Sequence, residues 1–218
     1  AMPVSGAALV AITGLRKMTP KKMDEVSQAM IDGCANYLAD QRVTQACHLA
    51  TADIDAHISG MLGELKVNPN NSVLSVLLQA GQPIDNIKAN IKLVISGGQN
   101  EPRDAIAGTA AAVLMHPFAC EQLRQSVEWG QAFKEYTRWM SPIGMSPRQI
   151  GIDCKVLGYD FKQNDRVFFM FGAANRDHSV FESPEVFDLN RDNGPAIPFG
   201  AGPHFCAGAA VSRVLIAE

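Results

Sequence analysis

The sequence predicts a mainly α-helical protein with small β-sheets, and three observations predict it. Apolar residues recur at helical spacing through most of residues 19–139. From Gln149 the pattern shifts to short strand-like runs closed by turns. No linker separates the two parts, so residues 1–218 are expected to form a single domain around one core.

Each element follows from local chemistry. Thr19-Pro20-Lys21-Lys22 reads as a helix start, with Thr19 as cap and Pro20 in the first turn. Apolar residues then recur at Met23, Val26, Met30, Ile31, Cys34, Tyr37 and Leu38, one face of a helix. A second helix runs through Ala50, Ile54, Ile58, Leu62 and Leu65, with Asp53, Asp55 and Lys66 on its solvated side. Val67–Asn71 is a loop and Ser72–Ala80 a short helix. Gly81-Gln82-Pro83 opens the longest helical pattern, Ile84 to Met115, which His116-Pro117 closes. At about 1.5 Å per residue that pattern would extend roughly 50 Å, enough to cross a whole domain.

Its middle breaks the helical rules. Ser96-Gly97-Gly98-Gln99-Asn100-Glu101-Pro102 holds two glycines and a proline, and Pro102 cannot donate to the Gly98 carbonyl. Two helices joined by a turn would explain this. So would a bend at which a ligand or water approaches exposed backbone. Beyond Pro117 come a short helix and then Glu128–Trp139, on which Glu135 and Arg138 are neighbours. Strands are expected at Ile150–Val156 and Arg166–Phe171, followed by a loop-rich stretch with a short helix start at Ser183-Pro184-Glu185-Val186.

Composition narrows the function. With 47% hydrophobic and 19% charged residues the chain can bury a sizeable core. A net charge of -3 gives no general attraction to nucleic acid. The longest apolar runs, such as Ala7–Ile12, are too short to span a bilayer, and the start does not read as a signal peptide. Ala1 before Met2 reads as a residue left by tag removal. Cys34, Cys47, Cys120, Cys154 and Cys206 are scattered and odd in number, without a C-x-x-C pair. That pattern fits a reducing, cytoplasmic setting and argues against a disulfide framework or a zinc site.

One stretch carries most of the chemistry: Phe199-Gly-Ala-Gly-Pro-His-Phe-Cys-Ala-Gly208. Gly200 and Gly202 permit a close backbone approach, Pro203 stiffens the loop, and Cys206 stands before the helical pattern Ala207–Glu218. A thiol at a helix entrance is favoured as thiolate, one of the ligands proteins use on haem iron.

The spacing Phe-x-x-Gly-x-His-x-Cys-x-Gly resembles the haem-binding loop of the cytochrome P-450 family. The resemblance implies the cytochrome P-450 fold, incomplete in this chain, whose family members are about twice as long. It implies haem b (iron protoporphyrin IX) with Cys206 as the iron ligand, cradled by Phe199, Gly200 and Gly208. Arg148 and His204 would hold the propionates, since cationic and N–H donors suit carboxylates. Glu135 and Arg138 match the family's Glu-x-x-Arg pair and Arg191 the arginine that joins it, a structural network. Asn175-Arg176-Asp177 matches a recurring segment to which no role is attached here.

Departures from the family are also visible. The helix that gives further propionate contacts has no clear counterpart, Leu15-Arg16-Lys17 being at most its end, and the mobile lid would fall between Asp40 and Val43. The chain stops before the family's final strands. These segments are either truncated or merely disordered, and because a half-lidded haem cavity would expose a large apolar surface, the second is expected. At the central bend, aligned on Gly97 and Gly98, the usual acid position holds Asn100 and the usual alcohol position holds Glu101. Gly97, Gly98, Asn100 and Glu101 are therefore the candidate catalytic residues.

The function implied is a haem-thiolate monooxygenase that inserts one oxygen atom from O₂ into a small organic substrate. Electrons would come from a ferredoxin-type or reductase partner, which could dock on Arg16, Lys17, Lys21 and Lys22. Those four residues read equally well as a solvated helix start. A peroxide-using peroxygenase and a non-catalytic haem-binding protein are the alternatives. Neither a nucleic-acid nor a membrane partner is expected.

Overall fold

The computed structural model describes residues 2–126 and 128–217, and it is mainly helical with two small sheets. Ala1 and Glu218, read above as a tag remnant and a helix end, lie outside the described residues. The chain divides into two compact units, and the division falls after Asp104.

The first unit is built from α1 (Met2–Thr13), α2 (Pro20–Cys34), α3 (Gln41–Val67), α4 (Val73–Gln79), α5 (Ile84–Gly98) and the start of α6 (Asn100–Met115). Helix α1 has no charged residue and therefore little periodic signal. It is anchored by buried Leu9, and it ends where Gly14 takes a φ of 85°, beside Ser72. Thr19 caps α2 by accepting from the Lys22 N–H at 3.1 Å, and Ser72 caps α4 by accepting from the Ser75 N–H at 3.3 Å. The core forms where Ile87, Ile91 and Ile95 of α5 meet the cluster containing Ile54, Ile58 and Leu65 of α3. Each such fully buried side chain contributes about 1.5–3 kcal/mol of transfer free energy.

The apolar face expected along α2 stops early. The helix ends at exposed Cys34, and Tyr37 and Leu38 are 91% and 94% exposed in the connection to α3. Asn36 diverts the chain: its side chain accepts from the Asp40 N–H and donates to the Asp40 carbonyl and Thr44 Oγ1. Where α2 and α3 pass each other, a Cβ on Gly33 would lie 2.6 Å from Cys47 Cβ, so only glycine fits this crossing. Asp53 and Asp55 are not merely solvated, because each forms an ion pair with a lysine at 2.9 Å, Lys22 and Lys92 respectively.

The long pattern from Ile84 to Met115 forms two helices, α5 and α6, separated by Gln99 alone. Gln99 keeps right-handed helical angles (φ -100°, ψ -59°), so the interruption is a break in one helical path rather than a turn.

The second unit comprises the rest of α6, α7 (Pro117–Ser126), α8 (Trp129–Met140), β1 (Ser146–Gln149), β2 (Cys154–Val156), β3 (Tyr159–Phe161), β4 (Arg166–Phe169), the single turn α9 (Phe171–Ala174) and α10 (Ala209–Ala217). Ala132 and Phe133 of α8 pack with Ala112 and Val113 of α6 and with Phe187 and Leu189. Strand β1 pairs antiparallel with β4, Arg148 opposite Val167, while β2 and β3 form a separate hairpin. The first strand thus begins earlier than its apolar content suggested. Residues 150–153, assigned to a strand by sequence, form a connection instead. Leu157 and Gly158 (φ 51° and 85°) make the two-residue hairpin turn, whose positive φ values match strand twist. The helix start expected at Ser183 is absent, because Ser183 adopts φ 44° and its carbonyl accepts from the Val186 N–H in a turn. Among the described residues no helix is long and apolar enough to cross a membrane.

Candidate functional site

The cysteine loop is closed by its own backbone. The Gly200 N–H donates to the Ile197 carbonyl and the Cys206 N–H to the Phe199 carbonyl, both at 3.0 Å. Between them, Gly200 (φ 73°) and Gly202 (φ 68°) turn the chain through left-handed angles, and Gly202–His204 forms one 3₁₀ turn. Phe199 packs against Phe133 of α8 at a ring separation of 6.2 Å, with the Arg213 guanidinium 5.9 Å from its ring centre. The loop presents Cys206 as an exposed thiol. Helix α10 starts only at Ala209, after the turn residues Ala207 and Gly208. Cys206 therefore stands short of the helix entrance expected for it, and the loop rather than the helix end presents the sulfur. A Cβ on Gly208 would lie 3.7 Å from Sγ, in ordinary van der Waals contact with the thiol.

Arg148 is exposed on β1, donating to Ser146 Oγ at 2.6 Å and the Pro147 carbonyl at 2.8 Å, with its guanidinium 5.5 Å from the Phe169 ring centre. Among the described residues it makes no ion pair. His204 is exposed in the 3₁₀ turn. No group of three or more His, Cys, Asp or Glu able to hold a metal ion exists among the described residues. One exposed sulfur with cationic and N–H donors in the same unit is a donor set that fits haem, which brings its own four nitrogens. It does not fit a bare ion.

Glu135 and Arg138, three apart on α8, are both fully buried. Arg138 binds Glu135 through two hydrogen bonds, Nε to Oε2 at 2.8 Å and Nη2 to Oε1 at 2.7 Å. Its remaining N–H groups donate to the carbonyls of Asn175, Pro184 and Val186. Arg191 donates from Nε to Glu135 Oε1 at 3.2 Å, and its other nitrogens reach the carbonyls of Glu182, Ser183 and Val186. The Asp188 N–H also donates to Oε1 at 3.0 Å. One carboxylate thus gathers two guanidiniums and pins the loop-rich stretch to α8.

At the break between α5 and α6, polar atoms outnumber partners. Gln99 Oε1, Asn100 Oδ1 and Glu101 Oε2 are buried without a hydrogen-bond partner. Gln99 is fully buried and donates from Nε2 to Asp24 of α2 at 2.7 Å, while Ser27 of α2 donates to the Ile95 carbonyl at 3.3 Å. Gly97 has open space where a side chain would be, whereas a Cβ on Gly98 would meet Leu9. Arg103 pairs with Asp104 at 2.9 Å rather than with Glu101.

Burial pushes the Glu101 carboxyl above the ordinary range; a backbone N–H opposes this, the Asp104 charge adds to it, and Arg103 opposes it. Its folded pKa being raised, the folded chain binds more protons than the unfolded chain between the ordinary and the raised values. Stability then falls as pH rises through that window. Glu101→Gln cannot ionise, so it is expected to be more stable than the parent at neutral pH. The two should converge below about pH 4, where an unperturbed carboxylate is protonated. Urea midpoints at several pH values check this, and a difference that does not change with pH would contradict it.

The basic stretch near the start of α2 is partly neutralised. Lys22 binds Asp53 at 2.9 Å, Lys21 lies 3.9 Å from Glu25, and Lys17 donates to the Gly60 carbonyl at 3.5 Å. Arg16 is exposed. Two contributors escaped the sequence reading. Gln99 was one glutamine in a polar run, and Asn175 belonged to a noted segment without a role. Asn175 is fully buried, accepting from the Ile197 N–H at 2.8 Å and donating to Ser141 Oγ at 2.9 Å.

Comparison with known proteins bears on the family and the fold. Residues 122–216 match the family model for cytochrome P-450. The biotin biosynthesis cytochrome P-450 of Bacillus subtilis (strain 168) is 26% identical over 221 residues, covering 98% of this chain and 55% of the relative. The steroid C26-monooxygenase of Rhodococcus jostii (strain RHA1) is 30% identical over 173 residues, covering 77% of this chain and 36% of the relative. The crystal structure of P-450 BioI in complex with an acyl carrier protein ligated to hexadec-9Z-enoic acid superposes with a TM-score of 0.88. It is 24% identical, over 99% of this chain and 57% of that one. The chain spans about half the length of the curated relatives it matches. The first match aligns 221 positions with about 214 residues of this chain, 98% of 218. That leaves no room for a long internal deletion, so the gap expected between Asp40 and Val43 is not there, and the relative's remaining length flanks the matched span. By loop spacing, family model, relatives and fold alike, the chain belongs to the cytochrome P-450 superfamily.

Proposed function

We propose that this chain is part of a cytoplasmic haem-thiolate monooxygenase, its two units acting as one haem-binding domain, that inserts one oxygen atom from O₂ into a small organic substrate. The observation that carries the reading is Cys206, an exposed thiol held on a loop closed by backbone hydrogen bonds. The monooxygenase named among the relatives supports the reaction class. Haem b would be held by Cys206 on the iron and by Arg148 and His204 at its propionates, with Phe199, Gly200 and Gly208 shaping the loop. It would supply the one-electron and O₂ chemistry that side chains lack. Electrons would come from a ferredoxin-type or reductase partner.

The chain's own residues have narrower tasks. The Phe199–Gly208 loop orients the sulfur without crowding it. Glu101 holds a proton at a carboxyl kept neutral more readily by burial, and gives it up where the family's alcohol would only relay one. Gly97 leaves the backbone open, Gly98 lets Leu9 pack against the same stretch, and Asn100 offers an unpartnered oxygen beside them. The same carboxyl favours a second reading, a peroxide-using enzyme, and more product with peroxide than with O₂ and reductase would select it.

The test of the main reading is Cys206→Ser in the haem-loaded protein. The reduced carbon-monoxide complex is expected to lose the long-wavelength absorption that thiolate ligation produces. A variant that keeps this band would remove Cys206 as ligand and overturn the reading.

A further inference from the structure

We infer that Asn175 is the positioning residue that ties the base of the Cys206 loop to the buried Glu135–Arg138 pair, an inference that rests on Cys206 being the haem ligand. Asn175 is fully buried and every polar group on its side chain is used. Its Oδ1 accepts from the Ile197 N–H at 2.8 Å, and its Nδ2 donates to Ser141 Oγ at 2.9 Å. A backbone N–H can only donate, so the amide orientation is settled by its partners. The carbonyl of the same residue accepts from Arg138 Nη1 at 3.0 Å.

Both ends of this arrangement need holding. Ser141, the C-cap of α8, has φ 46° and ψ 78°, a left-handed conformation that is costly without glycine. Its hydroxyl receives the Asn175 amide and donates to the Arg138 carbonyl at 3.2 Å. At the other end, the Ile197 carbonyl accepts from Gly200, and two residues after Ile197 the Phe199 carbonyl accepts from Cys206. A path of hydrogen bonds and short covalent links therefore joins Glu135, Arg138, Asn175, Ile197 and the loop that presents the sulfur. Only a short planar group with an acceptor on one side and a donor on the other completes it. Leucine has the volume without the polarity. Aspartate still accepts from Ile197 and can accept the Ser141 proton, so it preserves the loop side.

The experiment compares Asn175→Leu, Asn175→Asp and Cys206→Ser in the purified chain by two readouts. The first is hydrogen exchange at the Gly200 and Cys206 amides. The second is the share of the reduced carbon-monoxide complex showing the thiolate band. In Asn175→Leu these amides should exchange about tenfold faster, the equivalent of one lost hydrogen bond, and a several-fold smaller share should show the band. Asn175→Asp should return both readouts close to the parent. A residue that merely fills space would lower yield yet leave the soluble fraction with parental exchange and a full band. That result, or equal effects of leucine and aspartate, would overturn the inference. If Asn175→Leu yields no soluble protein, Asn175→Ser, which leaves room for a water, reads the same amides; unchanged exchange there would overturn it equally. Cys206→Ser separates the two claims. Retention of the band in that variant refutes the thiolate reading while leaving the exchange result on Asn175 to stand or fall alone.

Discussion

Glu135→Ala is expected to yield little soluble, haem-loaded protein. The carboxylate is fully buried and answers two guanidiniums and one backbone N–H. Removing it leaves Arg138, itself fully buried, with three carbonyl partners but no counter-charge. Breaking a buried pair by deleting one partner costs about 3–5 kcal/mol, against a total stability of about 5–15 kcal/mol for an ordinary domain. The loss would fall on the unit that carries Cys206, because Arg138 and Arg191 together hold the stretch from Asn175 to Asp188 against α8. Glu135→Gln should be less severe: it keeps an acceptor for the Arg138 fork and the Asp188 N–H while losing the charge. Expression level, haem content and urea midpoint give the measurement. A Glu135→Ala protein with parental yield and midpoint would show that the buried trio contributes no more stability than an ordinary surface pair.

Glu101→Gln should lower product formation by about one to three orders of magnitude with O₂ and an electron-donating partner, within or somewhat below the usual contribution of a positioned acid–base group. The expectation rests on three properties of this position. One carboxylate oxygen is buried without a partner, burial raises the pKa, and the nearby Arg103 is engaged by Asp104. A group so placed binds a proton near neutral pH more readily than a solvated glutamate does. Glutamine keeps the shape but neither accepts nor releases that proton. Substrate binding and haem content should therefore change little, while uncoupled peroxide rises. Turnover indistinguishable from the parent would show that the carboxyl takes no part.

Legibility in the sequence followed signal range. The cap at Thr19, the short helix starting near Ser72 and the helical pattern from Ile84 were legible because each depends on neighbours a few residues away. The cysteine loop was legible because its glycines and thiol have no ordinary reason to share that spacing. Strand β1 was hidden: Ser-Pro-Arg-Gln carries no apolar alternation, and its pairing comes from residues 166–169. Helix α1 was hidden for the opposite reason, an excess of small and apolar residues that leaves no polar face. Tyr37 and Leu38 continued a helical period by coincidence, while Asn36 was already forming its hydrogen bonds to Asp40 and Thr44. The role of Asn175 depends on partners 22, 34 and 37 residues away, beyond any local pattern. Gln99 and Asp24 are separated by 75 positions.

The exposure of the cysteines gives haem loading a chemical counter. Cys34 and Cys206 are exposed, while Cys47, Cys120 and Cys154 are half-covered. A bulky alkylating dye offered to the folded chain discriminates by access, so Cys34 and Cys206 are its preferred attachment points. If the metal occupies one of them, the preferred stoichiometry falls from two labels to one, and the surviving label at Cys34 serves as the internal standard. Occupancy could then be weighed by mass, without recourse to colour.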